Sequence, residues 1–154
     1  MGKKKQIIIS KEDAVFWMDE NGVWRNEHGR FEHHKIIKYF NESIAKDDNG
    51  YYVYQTTDEF EEKVYFPCEE TAVFVVDIKI GKTIRLILNT MKTSAFEDGR
   101  LFSKNDNLYL ETDAHLIKFT SQALIKLSRF MKDQDGQMVL DINGCVYPVQ
   151  SDED

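Results

Sequence analysis

The segment that most constrains this chain is residues 72–80, centred on Val73-Phe74-Val75-Val76. It is far shorter than the roughly 20 apolar residues that a membrane-spanning helix needs. Its β-branched side chains lose freedom in a helix and pack well on a pleated surface. The segment is therefore read as a central strand covered on both faces, so the fold is built around a sheet. Gly81-Lys82 turns the chain into residues 84–88, read as its antiparallel partner. Asp77 follows the run, and an acidic group there needs a partner. Lys63 or Arg85 on a neighbouring strand could form a structural ion pair with it, or its carboxylate could form the polar wall of a ligand cleft.

Other segments extend the β-rich reading. Ile7-Ile8-Ile9 is a short strand. Val15 to Met18 and Val23-Trp24 flank Asn21-Gly22, a pair suited to the positive φ angles of a tight primed hairpin turn. Residues 51–54 and 63–66 are strands around a polar loop, and 107–110 with 115–119 form another hairpin. Residues 139–147 close the chain as a hairpin through Asn143-Gly144. Residues 91–106 read as irregular, and 151–154 as a disordered acidic tail.

Twice the hydrophobic period changes to that of a helix. Ile36, Ile37, Phe40 and Ile44 share one face of a helix predicted from Glu32 to Lys46. Ala123, Leu124, Leu127, Phe130 and Met131 do so in a second, from Thr120 to Lys132. Phe31-x4-Ile36-Ile37-Lys38 and Phe119-x4-Leu124-Ile125-Lys126 are in the same register, each after an aromatic-bearing hairpin and before an acidic, glycine-containing turn. This is the mark of an internal repeat. The expected fold is α+β, a duplicated hairpin–helix–strand motif with antiparallel sheets, each carrying one helix. The halves are placed at 1–66 and 67–154, forming one compact unit, and a seam between similar halves is a common place for a ligand.

The chain's 154 residues are 42% hydrophobic with two prolines, enough to bury a core. Against 27 acidic side chains stand 20 lysines and arginines, a net charge of -7 that repels polyanions and argues against duplex nucleic acid as a partner. The basic cluster Lys3-Lys4-Lys5 is too small for a nucleic-acid or lipid arm and reads as a frayed, solvated end. Met1-Gly2 is not a myristoylation start, because position 6 is Gln where Ser or Thr is required. With no signal-peptide pattern and two widely spaced cysteines, Cys68 and Cys145, the expectation is a cytoplasmic protein with free thiols and no membrane insertion.

Catalytic chemistry is weakly signalled. There is no nucleophile elbow, phosphate-binding glycine loop or dinucleotide fingerprint. Glu27-His28 and Glu32-His33-His34 contain metal-ligand residue types, but adjacent histidines diverge by about 100° in a helix, and a solvated helix start is the expectation. Cys68 follows Pro67, and the acidic Glu69 and Glu70 would raise its pKa, opposing a thiolate role. Trp17, Trp24, Tyr51, Tyr52 and Tyr54 pack on or between sheets, or stack on a planar ligand at the seam. No catalytic residue, metal or cofactor is assigned.

The run Glu62-Lys63-Val64-Tyr65-Phe66-Pro67-Cys68-Glu69-Glu70-Thr71-Ala72-Val73-Phe74-Val75-Val76-Asp77 resembles the bacterial domain of unknown function family 1285. Asn21-Gly22-Val23-Trp24 resembles that family's D-G-x-W hairpin and Asn49-Gly50-Tyr51-Tyr52 its D-G-x-Y step, while Leu88-Asn89 stands where Thr-Asn is common. The pattern departs at Ala72, where the family has Pro, and at His33, where it has Arg. The resemblance implies a duplicated α+β core with a C-terminal half superficially like a pleckstrin-homology domain, a ligand groove between the halves and a signal-transduction context. By position it brings Trp24, Tyr52, Lys63, Asp77 and Asn89 to that groove. The expected function is a non-enzymatic binding module for a small anionic or nucleotide-like ligand, with Lys63 neutralising charge, Asp77 and Asn89 orienting, and an aromatic stacking on the base. The alternative is a protein–protein interaction adaptor with no small-molecule ligand.

Overall fold

The computed structural model describes residues 4–152. The readings placed on Met1-Gly2, Lys3, Glu153 and Asp154 lie outside the described residues. The protein is a mixed α and β structure with many strands in several sheets and, among the described residues, two α-helices. It divides into two compact units, the first up to Ala72 and the second from Val73.

In the first unit the strands are β1 (Lys5–Ile9), β2 (Phe16–Met18), β3 (Trp24–Asn26) and β4 (Gly29–Arg30), followed by helix α1 (His34–Glu42). After it come β5 (Ile44–Asp47), β6 (Gly50–Thr56) and β7 (Phe60–Tyr65). One sheet has the order β1-β7-β6-β5, with β1 parallel to β7 and the other pairs antiparallel. The second is the meander β2-β3-β4. Its core is aromatic: Trp24 is 1% exposed, and the rings of Phe16, Phe31, Phe40 and Phe66 surround it at centroid distances of 4.7–6.4 Å. Edge-to-face geometry dominates these contacts, which suits the ring quadrupoles.

The second unit continues with β8 (Val73–Ile80), β9 (Ile84–Leu88), β10 (Thr93–Ser94), β11 (Arg100–Lys104), β12 (Asn107–Glu111) and β13 (Leu116–Phe119). Helix α2 (Ser121–Ser128) leads to β14 (Met131–Gln134), β15 (Gln137–Ile142), β16 (Cys145–Pro148) and β17 (Gln150–Ser151). The main sheet has the order β10-β9-β8-β13-β12-β11-β17, and β14-β15-β16 form a three-stranded meander. As the apolar run required, β8 is internal, antiparallel to β9 and parallel to β13, with Val73, Phe74 and Val75 buried. Thr120 caps α2 by accepting from the Ala123 N–H at 3.3 Å, and Ala123 and Leu127 are fully buried beneath it.

Several local expectations change. The Asn21-Gly22 hairpin forms, but only Gly22 is left-handed, and the loop is set by Asp19, whose Oδ1 accepts from the N–H groups of Asn21 and Val23. At Asn143-Gly144 both residues have positive φ, as a primed two-residue turn requires. Both helices are shorter than their periodicity suggests. In α1, Ser43 is the last capping residue, its hydroxyl donating to the Tyr39 carbonyl at 2.6 Å, and Ile44 belongs to a strand paired with Val53. Ile36 is 45% exposed rather than inward. Residues 91–106 are not irregular: they contain β10 and β11, with Leu101 and Phe102 buried. Nor are Ser151 and Asp152 a loose tail, because β17 pairs with β11 and Asp152 accepts two bonds from Arg100.

Candidate functional site

Alternation along β6 turns Tyr51 and Val53 inward and leaves Tyr52 and Tyr54 on the other face. Antiparallel pairing sets Tyr52 opposite Tyr65 and Tyr54 opposite Lys63, while parallel β1 sets Ile8 beside Lys63. One sheet face therefore carries Tyr52, Tyr54, Lys63 and Tyr65. The Lys63 ammonium lies 4.5 Å from the Tyr52 ring centroid and 3.4 Å from Asp47 Oδ2. The Tyr65 hydroxyl donates to the same Oδ2 at 2.5 Å, and the Tyr52 and Tyr65 rings meet edge-on at 5.3 Å.

The electrostatics follow from this network. The Tyr65 hydroxyl holds the Asp47 carboxyl below the usual carboxylate range; burial opposes it, while the Asn49 N–H and Lys63 support it. Burial alone would lower the Lys63 ammonium, but Asp47 and the nearby hydroxyls of Tyr52 and Tyr65 leave it raised. Lys63 is thus a fixed cation beside an aromatic face, able to hold a planar or anionic group. The adjoining hollow, lined by Gln6, Ile7, Ile8, Tyr54, Glu61 and Lys63, has a volume of about 80 Å³, so this is a platform rather than a deep pocket.

Of the five residues singled out, the first unit brings Tyr52 and Lys63 together. Trp24 lies in the aromatic core, its indole N–H donating to Asn41 Oδ1 at 2.8 Å. Asn89, 8% exposed, accepts from the Phe74 N–H and so serves the β8–β9 junction. Asp77 pairs with Lys126 of α2 rather than with Arg85, and Lys63 has Asp47 of its own unit as partner. A bulge between Val75 and Asp77 sets Asp77 opposite Ile87, which leaves Arg85 diagonal to it on the same face, yet the partner comes from the helix rather than from that strand. Lys126, then the Ile78 N–H, hold the Asp77 carboxyl below its ordinary range.

The histidine segment has local partners. His28 and Glu27 make an exposed pair at 3.3 Å, and His33 Nδ1 caps α1 by accepting from the Ile36 N–H. Among the described residues, no three His, Cys, Asp or Glu side chains are grouped to hold a metal ion. Cys68 and Cys145 are free thiols. Burial, rather than Glu69 and Glu70, pushes the Cys68 thiol up, with Lys11 and Lys46 opposing it.

Sequence reasoning missed Asp47 and Tyr65, the two groups that hold Lys63 in place. The alternation of Tyr52 with Tyr54 was a visible signal for one face, but strand register is needed to place Tyr65 and Asp47 on it.

The overall structure resembles a DUF1285 family protein from Silicibacter pomeroyi DSS-3, with a TM-score of 0.63 at 12% identity, covering 96% of this chain and 84% of that one. It also resembles a DUF1285 family protein from Shewanella baltica OS155, with a TM-score of 0.50 at 14% identity, covering 75% of this chain and 91% of that one. No family model matches the sequence, and no curated protein matches it. The likeness is one of fold.

Proposed function

We propose that this chain, DUF1285-like in fold, is a non-enzymatic binding module for a small nucleotide-like, anionic ligand, acting in signal transduction. The observation that carries the reading is the Lys63 ammonium, held over Tyr52 by Asp47 and still 35% exposed. A planar ring would stack on the tyrosine face, Lys63 would meet the ligand's negative charge, and Asp47 would accept from an exocyclic amino group. Stacking on an aromatic side chain contributes about 1–3 kcal/mol per base. A calorimetric panel of AMP, GMP, ADP and cyclic dinucleotides tests it. At least one should bind, and Lys63→Met should weaken that complex about tenfold. Silence across the panel sinks the reading.

One observation favours a protein adaptor instead. Ile125 on α2 is 72% exposed, beside a hollow of about 460 Å³ lined by Ile78, Ile80, Ile125, Lys126 and Arg129. An acidic, apolar protein segment would suit that surface, and Ile125→Asp should abolish its capture.

We also read the two units as copies of one motif. In each, a three-stranded meander precedes the helix and a second meander follows it, β2-β3-β4 and β5-β6-β7 around α1, β11-β12-β13 and β14-β15-β16 around α2. The seven-stranded sheet of the second unit is the basis for a superficial likeness to a pleckstrin-homology domain.

A further inference from the structure

The second unit contains a groove of about 630 Å³ between the β11–β12 turn, α2, the β14–β15 hairpin and the terminal strand. That volume falls within the roughly 300–1,000 Å³ typical of small-molecule sites. Leu108 and Val149, both nearly fully buried, belong to its floor, and Leu124 and Met138 supply further apolar surface. Its polar lining includes two carboxylates, Asp106 on the β11–β12 turn and Asp133 on β14, and, among the described residues, no Lys, Arg or His. Of the cations nearby, Arg100 is bound to Asp152 and Glu111 and Lys132 to Asp141, while Lys104, at the end of β11, acts on the Asp152 carboxyl and is not part of the lining.

We infer that this groove binds a small organic cation, an ammonium or guanidinium group carried on an apolar body. The apolar body is released from water onto the Leu108 and Val149 floor, while the charged head stays at the rim beside Asp106 and Asp133. A net charge of -7 draws cations in at long range and disfavours the carboxylate analogue of the same ligand. The site lies in the second unit and takes the opposite charge from the Lys63 platform, so it stands independently of the nucleotide-like reading.

Phenethylamine is a suitable probe, with 2-phenylethanol and 3-phenylpropionate as neutral and anionic counterparts. Titration of the full chain by amide NMR should move the signals of Gly136, Met138 and Ser151 with phenethylamine, less with the alcohol, and not with the acid. Raising salt should weaken the complex. The variant Asp106→Asn with Asp133→Asn removes both charges and keeps the turns, because Asn tolerates positive φ and its carbonyl can still accept from the Gly136 N–H, as Asp133 does at 2.9 Å. It should bind phenethylamine about fivefold more weakly, two exposed pairs being lost. A separate Met138→Ser change should also weaken binding by shrinking the apolar wall. The inference is overturned by equal binding of the carboxylate, by unchanged affinity in the double variant, or by signals that do not move at the groove.

Discussion

Asn89 and Phe74 are joined twice at the end of β9. The Asn89 side-chain carbonyl accepts from the Phe74 N–H at 2.9 Å, and the Asn89 backbone N–H donates to the Phe74 carbonyl at 2.9 Å. The side chain thus takes the place of a strand carbonyl where β9 has ended, and satisfies a backbone donor beside a ring that is 1% exposed. Asn89→Leu leaves that donor buried and unpaired, at a cost of about 1–3 kcal/mol. Urea unfolding should show the loss as a lower midpoint at unchanged slope. A variant as stable as the parent would show that Asn89 is not what secures this junction.

Gly99 is constrained by space rather than by backbone conformation. A Cβ built on it would meet the Glu111 carbonyl oxygen at 2.1 Å and its carbon at 2.7 Å, and both are backbone atoms of β12 that cannot rotate away. Gly99→Ala should therefore displace β11 from β12 and cost about 3 kcal/mol or more. Gly136→Ala is the control. It meets nothing within 4 Å, and its φ of +87° predicts a smaller penalty of about 1–2 kcal/mol. Thermal unfolding of the two variants should rank them in that order; the reverse order would contradict the packing argument.

Asp19 makes stability depend on acid. It is 4% exposed, bonded through Oδ2 to Arg25 Nε at 2.7 Å and through Oδ1 to two backbone N–H groups. Burial pushes its pKa up, but Arg25 and the N–H groups of Val23 and Asn21 outweigh that and leave it lowered. A folded pKa below the unfolded one means that the stabilisation is present above the ordinary carboxylate value, about 3.9, and is lost as pH falls through the folded pKa. Asp19→Asn keeps an acceptor for the loop and loses the charge. Its unfolding midpoint should be lower than the parent's at neutral pH, and the gap should close below about pH 4. A constant gap across that range would remove Asp19 from the acid response.

How far such features were legible depends on whether their cause is local. The β8 strand was readable because Val73 to Val76 are apolar in unbroken succession, and the α2 register because Ala123 and Leu127 recur on one face. The ends of α1 were not readable, because Ile44 continues the helical period but is captured by pairing with Val53, a tertiary contact. The hidden strand β11 carries only two inward residues, Leu101 and Phe102, adjacent rather than alternating in burial, so no period of two marks it. For the candidate site, Tyr52 and Lys63 were identifiable as an aromatic and a cation, but their meeting depends on the register that sets Tyr52 against Tyr65 and Lys63 against Tyr54. The need of Asp77 for a partner was legible, but Lys126 reaches it from α2, a helix-on-sheet contact that strand order alone does not carry.

The terminal strand β17 covers the edge of β11, and this gives a last prediction. Phe102 pairs with Gln150 and Ser103 with Ser151, and the Asp152 N–H donates to the Ser103 carbonyl at 3.0 Å. Arg100 clamps the segment from the side, reaching Asp152 with two bonds of 3.0 and 3.1 Å and Gln150 with one of 3.0 Å. Removing residues 150–154 would expose backbone donors and acceptors of β11, and an open strand edge is a template for pairing with another chain. The truncated chain should therefore self-associate more than the full chain as concentration rises in sedimentation velocity. Arg100→Ala, which loosens the clamp but leaves the strand, should shift association in the same direction by less. Matching sedimentation of the truncated and full chains at every concentration would mean that β17 does not protect this edge.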